Sequence, residues 1–568
     1  MSLQARSISS LQAEAAAAQQ DGLALGDLSS LAELGASAKY PGNIERDFGR
    51  RMKKVLGITV KPLEVSVDVS GVNILVLVLL PHELFAAIWD KNYEKASARF
   101  IGGYAVQDVW RIAKNGEEAW FLEHPLKSAI LGNPDLHVPV RVWGDDAPVG
   151  KHGRAVRAVS WAPAAVRGEA LQSKLLCWVI DPSVVSVISE KQLFNILAWS
   201  LDVLAAGRHP SCGPDGQPWK DGPWKDKARA ALAGQALSPG GHRGLYAQSS
   251  GDGKYLQEIY HLPWHPTTDF ICKFCHACKS PGPNNYANAK EDAPWTQQRR
   301  STGEISEACM DCPLASVYGW HPETIVDDIV HDDLLGVRLT LIGSALRDLS
   351  DMHWWAPEIA GPWKVKLNHQ LHHAYVSFRN FCKCNQFDHS VQPFKCNSIS
   401  MSTLTSWPEY KGKAKNAATI SLWLAEELQS RPLTCPLTQV LSSTLWGFAA
   451  MYVIWSESPQ ELSMSARRSL AIARSAGLEG YHWLSLKASE NNRYAYLLRP
   501  KFHKLDECVR RAISSGRNAA WFWSFSDESW VGSISKLSGS THRRTVAVRV
   551  PARWLATFFL ELDEHHSA

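Results

Sequence analysis

Residues 137–146 read HVPVRVWGDD, and this stretch decides the fold. Its first seven residues alternate in the manner of a β-strand, and Gly144, Asp145 and Asp146 then mark the end of that strand. Two further short strands are indicated at 155–161 and 175–180, the second of them as the apolar run LLCWVI. The segment therefore opens with three consecutive strands.

A helix and a fourth strand follow. Residues 190–206 have helical periodicity and stop at Gly207. Residues 243–248 predict the next strand, which ends near Gly251-Asp252-Gly253. The order is three strands, a helix, a loop and a strand, with an acidic residue at the end of the first and fourth strands. This order predicts an α/β fold in which Asp145 and Asp252 lie side by side.

Working outward from this core, the composition changes along the chain divide it into six regions. They are a disordered or weakly helical tail (1–40), an N-terminal α/β region (41–136), the first part of the core (137–260), a cysteine-rich insertion (261–320), a mostly helical insertion (321–490) and the C-terminal part of the core (491–568).

The cysteine-rich insertion carries two knuckles with metal-ligand spacing. They comprise Cys272, Cys275 and Cys278, followed after thirty residues by Cys309 and Cys312. Four thiolates at this separation can bind one Zn²⁺ tetrahedrally, which leaves no open position for water and indicates a structural role. Which four of the five cysteines bind the zinc stays open, and His276 is an outside candidate.

The order of residues argues against zinc-dependent deamination. Those enzymes place His-x-Glu upstream of Pro-Cys-x-x-Cys. Here His321-Pro-Glu323 follows Cys309 and Cys312, and no proline precedes that knuckle.

The composition indicates a soluble intracellular protein, nuclear or cytoplasmic. Twelve cysteines in 568 residues, five of them clustered, are typical of a reducing compartment. The most apolar stretch, 72–80, is far shorter than the ~20 residues of a membrane helix, so no membrane partner is expected. The net charge of +4 is too balanced to require a polyanionic partner, and the oligomeric state stays open.

Several charged clusters have two interpretations, local binding sites or solvated faces, and solvated faces are the commoner of the two. Basic residues cluster at 50–54, 411–415 and 542–544, and such clusters are usually solvated. His331, Asp332 and Asp333 are likewise interpreted as the polar face of a helix.

The order of these motifs resembles that of CACTA/Plavaka-type transposases. The matching pieces are Gly144-Asp145-Asp146, Gly251-Asp252-Gly253 ahead of the cysteine knuckle, and Val330-His-Asp-Asp-Leu-Leu-Gly336. Near the C-terminus, Lys501-Phe-His503 and Asp527-Glu528-Ser-Trp-Val-Gly532-x₃-Lys536 resemble the end of that family's core. The proline usual after the Gly-Asp segment is missing, and residues 350–490 match nothing in the family.

The resemblance implies a mixed sheet of the RNase H-like kind, interrupted by the zinc knuckle and a large, mostly helical insertion. It implies Mg²⁺-dependent DNA cleavage and strand transfer by a DDE/D carboxylate site. The implied metal-binding carboxylates are Asp145 or Asp146, Asp252, and Asp527 or Glu528. The implied phosphate contacts are Lys501, His503, Lys536 and Arg543. The alternative is a non-catalytic, zinc-stabilised nucleic-acid-binding or scaffold protein derived from a transposon.

Overall fold

The computed structural model describes residue 19 and residues 60–564, except 70–71, 103–105, 150–153, 165–173, 184 and 221–225. The basic cluster at 50–54 and, apart from residue 19, the tail expected at 1–40 lie outside the described residues.

The N-terminal region begins with an antiparallel hairpin of β1 (Leu63–Val69) and β2 (Val72–Val78). Five helices follow it: α1 (Pro81–Lys91), α2 (Tyr93–Phe100), α3 (Val106–Asn115), α4 (Ala119–Leu122) and α5 (Lys127–Gly132). Just beyond β2, the Leu79 amide donates to the Cys177 carbonyl at 2.8 Å, so the hairpin meets the edge of the central sheet.

The central sheet has four strands in the order β5-β4-β3-β6. They are β3 (His137–Val149), β4 (Arg154–Pro163), β5 (Leu175–Ile180) and β6 (Arg243–Gly251). In this sheet β4 pairs antiparallel with both β3 and β5, whereas β6 runs parallel to β3. The α/β class expected from the sequence is confirmed as a mixed sheet among helices.

Burial explains the sequence pattern of these strands. Residues 137–144 and all of β5 are buried, because helices pack on the sheet and the N-terminal hairpin meets it at β5. Between β5 and β6 runs α6 (Val187–Ala206). Ser186 caps it by accepting the Ser189 amide at 3.2 Å, and Gly207 ends it in the left-handed conformation with φ 71°.

Two short helices, α7 and α8, flank β6 in sequence, and the chain then becomes irregular. α7 (Lys227–Leu232) precedes β6, and α8 (Gly253–Tyr260) follows it directly. The cysteine-rich region contains one α-helix, α9 (Thr302–Ala308), among the described residues. The chain then returns to the sheet, where the Val326 amide donates to the Ser249 carbonyl at 2.9 Å. Ile325 and Ser249 form a parallel bridge there.

The helical region begins with a π-helical segment, Val330–Val337, and has a hydrophobic core largely of its own. Its helices are α10 (Arg338–Asp351), α11 (Trp363–Cys384), α12 (Ala414–Gln429), α13 (Pro436–Glu457), α14 (Met464–Arg474) and α15 (Gly480–Glu490). By length and composition α13 alone among the described helices could cross a membrane. Half of its most apolar window is buried against neighbouring helices, as in a core helix of a soluble protein.

Three C-terminal helices bring the chain back to the sheet. α16 (Lys501–Ser515) packs against the π-helical segment, α17 (Phe525–Gly539) against β3, and α18 (Val546–Glu564) against β5 and β2. The end of the chain therefore completes the layer around the strand that carries Asp145.

Candidate functional site

Asp145 and Asp252 lie at the same edge of the sheet. Gly144 on β3 is paired with Gly251 on β6, and these strands are parallel neighbours. The two aspartates that directly follow this pair are therefore adjacent. Asp252 also caps α8, since its side chain accepts the Tyr255 amide at 2.6 Å.

Tyr255 explains why glycine precedes each aspartate. A Cβ atom on Gly144 would lie 2.3 Å from the Tyr255 Cζ atom, and one on Gly251 would lie 2.5 Å from Cδ1. The buried Tyr255 ring thus packs directly on the backbone of both strands. The Gly-Asp pairs are part of a packed strand edge rather than ordinary surface turns.

Two residues from distant parts of the chain complete the cluster. One ligand atom from each of Asp145, His331 and Glu528 lies within 4.8 Å of the other two. His331 Nδ1 is 2.5 Å from Asp328 Oδ2, and its Nε2 is 3.3 Å from Glu528 Oε1. His331 belongs to the π-helical segment and Glu528 to the first turn of α17.

The charges in this cluster perturb one another. Burial, together with the neighbouring charges of Glu528 and Asp252, raises the pKa of Asp145 to about 7. Burial likewise raises the pKa of Glu528. Burial lowers the pKa of His331, but its bond to Asp328 and the facing carboxylates outweigh this and raise the pKa to about 9. His331 is therefore the cation of an otherwise acidic site.

The structure separates the two pairs of adjacent acids that the sequence left open. Asp146 turns away from the cluster and accepts two bonds from Arg157, at 2.7 and 3.0 Å. Asp527 is fully buried and pairs with Arg141 at 2.5 Å and Lys174 at 2.7 Å. Asp145 and Glu528 remain as the members that face each other.

Gly336 shapes the segment that presents His331. It has non-helical φ and ψ of −125° and −105° within the π-helix, and a Cβ atom there would lie 2.7 Å from the His331 carbonyl oxygen. That carbonyl accepts a bond from Lys501 Nζ at 2.9 Å. Such π-helical distortions are frequent at functional sites.

The cysteine knuckles divide into two groups. Ligand atoms of Cys272, Cys275 and His503 lie within 4.8 Å of one another, and all three residues are buried. Cys275 Sγ is 3.3 Å from His503 Nε2. The Nδ1 atom of His503 is buried with no hydrogen-bond partner among the described residues. This sulfur and nitrogen donor set suits Zn²⁺.

The other three cysteines lie outside this group. Burial raises the pKa of Cys309 to about 12 and that of Cys312 to about 11, and the two thiols are close enough to influence each other. The Cys278 thiol donates to the carbonyl groups of Ser280 and Asn284, at 3.8 and 3.6 Å. The second knuckle therefore does not join Cys272 and Cys275 in the described structure.

Adjacent aspartates connect the cysteine group with the carboxylate cluster. Asp327 pairs with Lys273, the neighbour of Cys272, at 2.6 Å. Burial alone would raise the pKa of Asp327, but the positive charges of Lys273 and Lys504 outweigh it and lower the pKa to about 2. The next residue, Asp328, holds His331. The two groups are thus anchored by consecutive residues of one segment.

The four residues expected to contact phosphate lie in different surroundings. His503 is fully buried beside the cysteines, with the Trp295 ring 4.4 Å away. Lys501 bonds the His331 carbonyl, Lys536 is exposed, and Arg543 lies 3.7 Å from Asp181. Only Lys501 of these is tied directly to the carboxylate cluster.

The carboxylate cluster has the donor chemistry of a divalent-cation site. Oxygen donors predominate, the Glu528 Oε1 atom accepts no hydrogen bond, and its side chain is 35% exposed. Cavities of about 600 and 1010 Å³ lie elsewhere, one beside Arg517 and one along α11. The members of the cluster are partly exposed at the edge of the sheet.

Asp328 and the proximity of His503 to the cysteines were not predicted from the sequence, which interpreted His331 as part of a polar helix face. Asp332 and Asp333, expected on that face, are buried. The signal for His331 is the run of acids around it, Asp327-Asp328 and Asp332-Asp333, after a short strand-like segment. No family model matches the chain, and no curated protein sequence matches it.

Proposed function

We propose that the chain is a DDE-type enzyme that cleaves and transfers DNA strands. The observation that carries this proposal is that Asp145 and Glu528, far apart in sequence, meet beside His331 at one edge of a mixed sheet. Asp252 follows Gly251, the partner of Gly144 on the neighbouring strand. The electrostatic influence of Glu528 and Asp252 on Asp145 supports their proximity. Three acids at one open edge are sufficient for Mg²⁺-dependent phosphoryl transfer.

An RNase H-like core is part of the proposal. Support comes from the strand order β5-β4-β3-β6, with three antiparallel strands and a fourth parallel to the first. Asp145 lies within the first strand, where its pairing with the fourth strand ends, Asp252 directly follows the fourth strand, and the third acid comes from a later helix that packs on β3. These features agree with the transposase resemblance of the sequence.

When bound, divalent ions at these carboxylates would activate a water or 3′-hydroxyl nucleophile and stabilise the leaving oxygen. Asp145 offers its carboxylate between Asp252 and Glu528 once it has lost its proton. His331, protonated at neutral pH, donates from Nδ1 to Asp328 and directs Nε2 toward Glu528. It thereby orients Glu528 and limits repulsion among the acids.

A structural zinc is also proposed, held by Cys272, Cys275 and His503. Support comes from their mutual proximity, complete burial and donor chemistry. Despite burial, the bond from Cys275 and the nearby His503 lower the pKa of Cys272, which favours the thiolate that zinc requires. The buried position indicates a structural ion.

The proposal is tested by comparing Asp145→Asn with Asp146→Asn. We expect the first variant to lose Mn²⁺- or Mg²⁺-dependent nicking of supercoiled DNA by roughly a thousandfold or more, since a metal-bridging carboxylate is removed. The second should retain most activity, because Asp146 bonds Arg157 instead. Both melting temperatures and DNA affinities are measured as controls.

Equal nicking by the wild type and Asp145→Asn would contradict the proposed site. A wild-type protein that binds DNA with no nicking in either metal would instead favour the non-catalytic nucleic-acid-binding alternative.

A further inference from the structure

Residues 359–425 carry an unusual excess of positive charge. They contain eight lysines and arginines but only two acidic residues, Asp388 and Glu409, which makes the segment +6. The entire chain carries only +4. The positive charge of the molecule is therefore concentrated in this part of the helical region.

Five exposed lysines in and beside this segment form what is called here the lysine row. Its members are Lys364, Lys395, Lys411, Lys413 and Lys415. None of the five makes an ion pair with another described residue, whereas Glu409 is already neutralised by Arg499 at 2.7 Å. Unpaired surface cations clustered on one face are the electrostatic pattern of a polyanion-binding surface.

Backbone contacts hold the members of the row together. The Lys411 amide donates to the Ser398 carbonyl at 2.8 Å, which joins the 411–415 segment to the short turn after Lys395. In that turn, the Cys396 amide donates to Asn368 Oδ1 at 2.9 Å, one turn after Lys364 on α11. The row thus runs from α11 to the start of α12.

The start of α12 lies against the segment that presents His331. Ala414 and Ala418 pack with Val330 and Leu334 in one small hydrophobic cluster. Val330 directly precedes His331, and Phe525, near Glu528, borders the same cluster. Lys413 and Lys415 flank Ala414 in sequence, so the row ends next to the hydrophobic cluster that supports the His331 segment.

We propose that the lysine row binds the phosphate backbone of duplex DNA and leads that duplex to the carboxylate cluster. This inference rests on the proposed function and assigns its substrate path. Lysines act as point charges toward phosphates and supply affinity without reading sequence. The surface therefore fits DNA of any sequence.

The test neutralises the three lysines nearest the cluster in one variant, K411Q/K413Q/K415Q. The matched control, K114Q/K220Q/K227Q, removes three exposed lysines that lie outside the helical region. Affinity for a short fluorescent DNA duplex is measured without divalent ions at several salt concentrations. Nicking of supercoiled DNA with Mn²⁺ is measured in parallel, and melting temperatures verify folding.

Loss of three phosphate contacts should reduce the slope of log affinity against log salt by about 3, and affinity by roughly 100-fold near 0.15 M salt. The control should match the wild type. Slope and affinity equal to the control would overturn the inference, as would a folded variant that loses affinity for duplex RNA but not for duplex DNA.

The two readouts separate this inference from the proposed function. A salt slope lowered only in K411Q/K413Q/K415Q, together with no nicking by the wild type, supports the DNA surface and overturns catalysis. An unchanged slope together with nicking that requires Asp145 overturns the surface and supports catalysis. A wild-type protein that neither binds nor nicks DNA overturns both.

Discussion

The two groups of potential metal ligands differ in chemistry and in surroundings. Cys272, Cys275 and His503 are buried, whereas Asp145 and Glu528 are partly exposed at the sheet edge. Sulfur and nitrogen donors in a closed site suit a structural ion, and carboxylates at an open edge suit exchangeable ions and substrate. Burial therefore distinguishes a candidate site for a structural ion from a candidate site for exchangeable ions.

The comparison depends first on which cysteines bind zinc. We expect Cys275→Ser to remove bound zinc and to lower the free energy of unfolding by several kcal/mol, since metal binding contributes directly to folding. Cys309→Ser is the matched control, and it should retain zinc because Cys309 lies outside the group. Zinc content by mass spectrometry and denaturant unfolding measure both. Equal zinc loss in the two variants would restore the four-cysteine set predicted from the sequence.

A second prediction concerns the rigidity of the segment that carries His331. Arg338 and Asp333 form a fully buried pair at 2.6 Å. Arg338→Met should cost about 3–5 kcal/mol, because it leaves a buried carboxylate unpaired. It should also weaken divalent-ion binding at the open site while zinc content is unchanged.

The double variant R338M/D333L is the control, since removing both charges should recover most of the stability. If the single variant unfolds no more easily than the wild type in urea, the pair does not stabilise the segment.

A third prediction tests the packing of Tyr255 against Gly144, next to Asp145. Gly144→Ala should destabilise the protein by about 1–3 kcal/mol, because its Cβ would overlap the Tyr255 ring. Gly532→Ala is a matched control on α17, where no atom lies within 4 Å of the new Cβ. It should instead stabilise by about 0.5–1 kcal/mol. Thermal melts measure both, and equal effects would contradict the role of Tyr255.

The smallest expected effect is the pH dependence of the open site. The Asp145 pKa is raised to about 7, so Mn²⁺ affinity should increase up to about tenfold between pH 6 and 8 as this carboxylate loses its proton. Without metal, the raised pKa of Asp145 destabilises the fold increasingly as pH rises from about 4 to about 7. The raised pKa of His331 acts oppositely: its stabilisation is complete below about 6.5 and is lost as pH approaches about 9.

Calorimetric titration with Mn²⁺ at both pH values tests this prediction, with Asp145→Asn as the control without the titrating group. Affinity that does not change with pH in the wild type would contradict it.

Local patterns predicted most of the strand bounds, but the strand expected to end at Gly144-Asp145-Asp146 continues to Val149, because residues 145–149 pair with β4. The strand expected at 175–180 has these bounds, and the helix expected at 190–206 begins three residues earlier, at Val187. The alternation and the capping signals are local properties, so they can be read from neighbouring residues. The strand expected at 243–248 extends to Gly251, because Gly251 pairs with Gly144 on β3.

Long-range contacts explain what was missed in the site. Asp145 and Asp146 are equivalent in sequence, and Arg157 on the adjacent strand is what engages Asp146. In the same way, buried Arg141 engages Asp527 and leaves Glu528 for the cluster. The spacing of residues along the sequence cannot predict such partners.

From the sequence alone followed the α/β class, the two strands beside which Asp145 and Asp252 lie, and the presence of thiols at metal-binding spacing. These follow from periodicity, turn residues and short motifs. Only the tertiary structure decided that His331 joins the acids, that His503 rather than Cys309 accompanies Cys272, and that the lysine row ends next to the hydrophobic cluster that supports the His331 segment. The physical reason is that charge pairing, burial and proximity between distant segments arise only once the chain is packed.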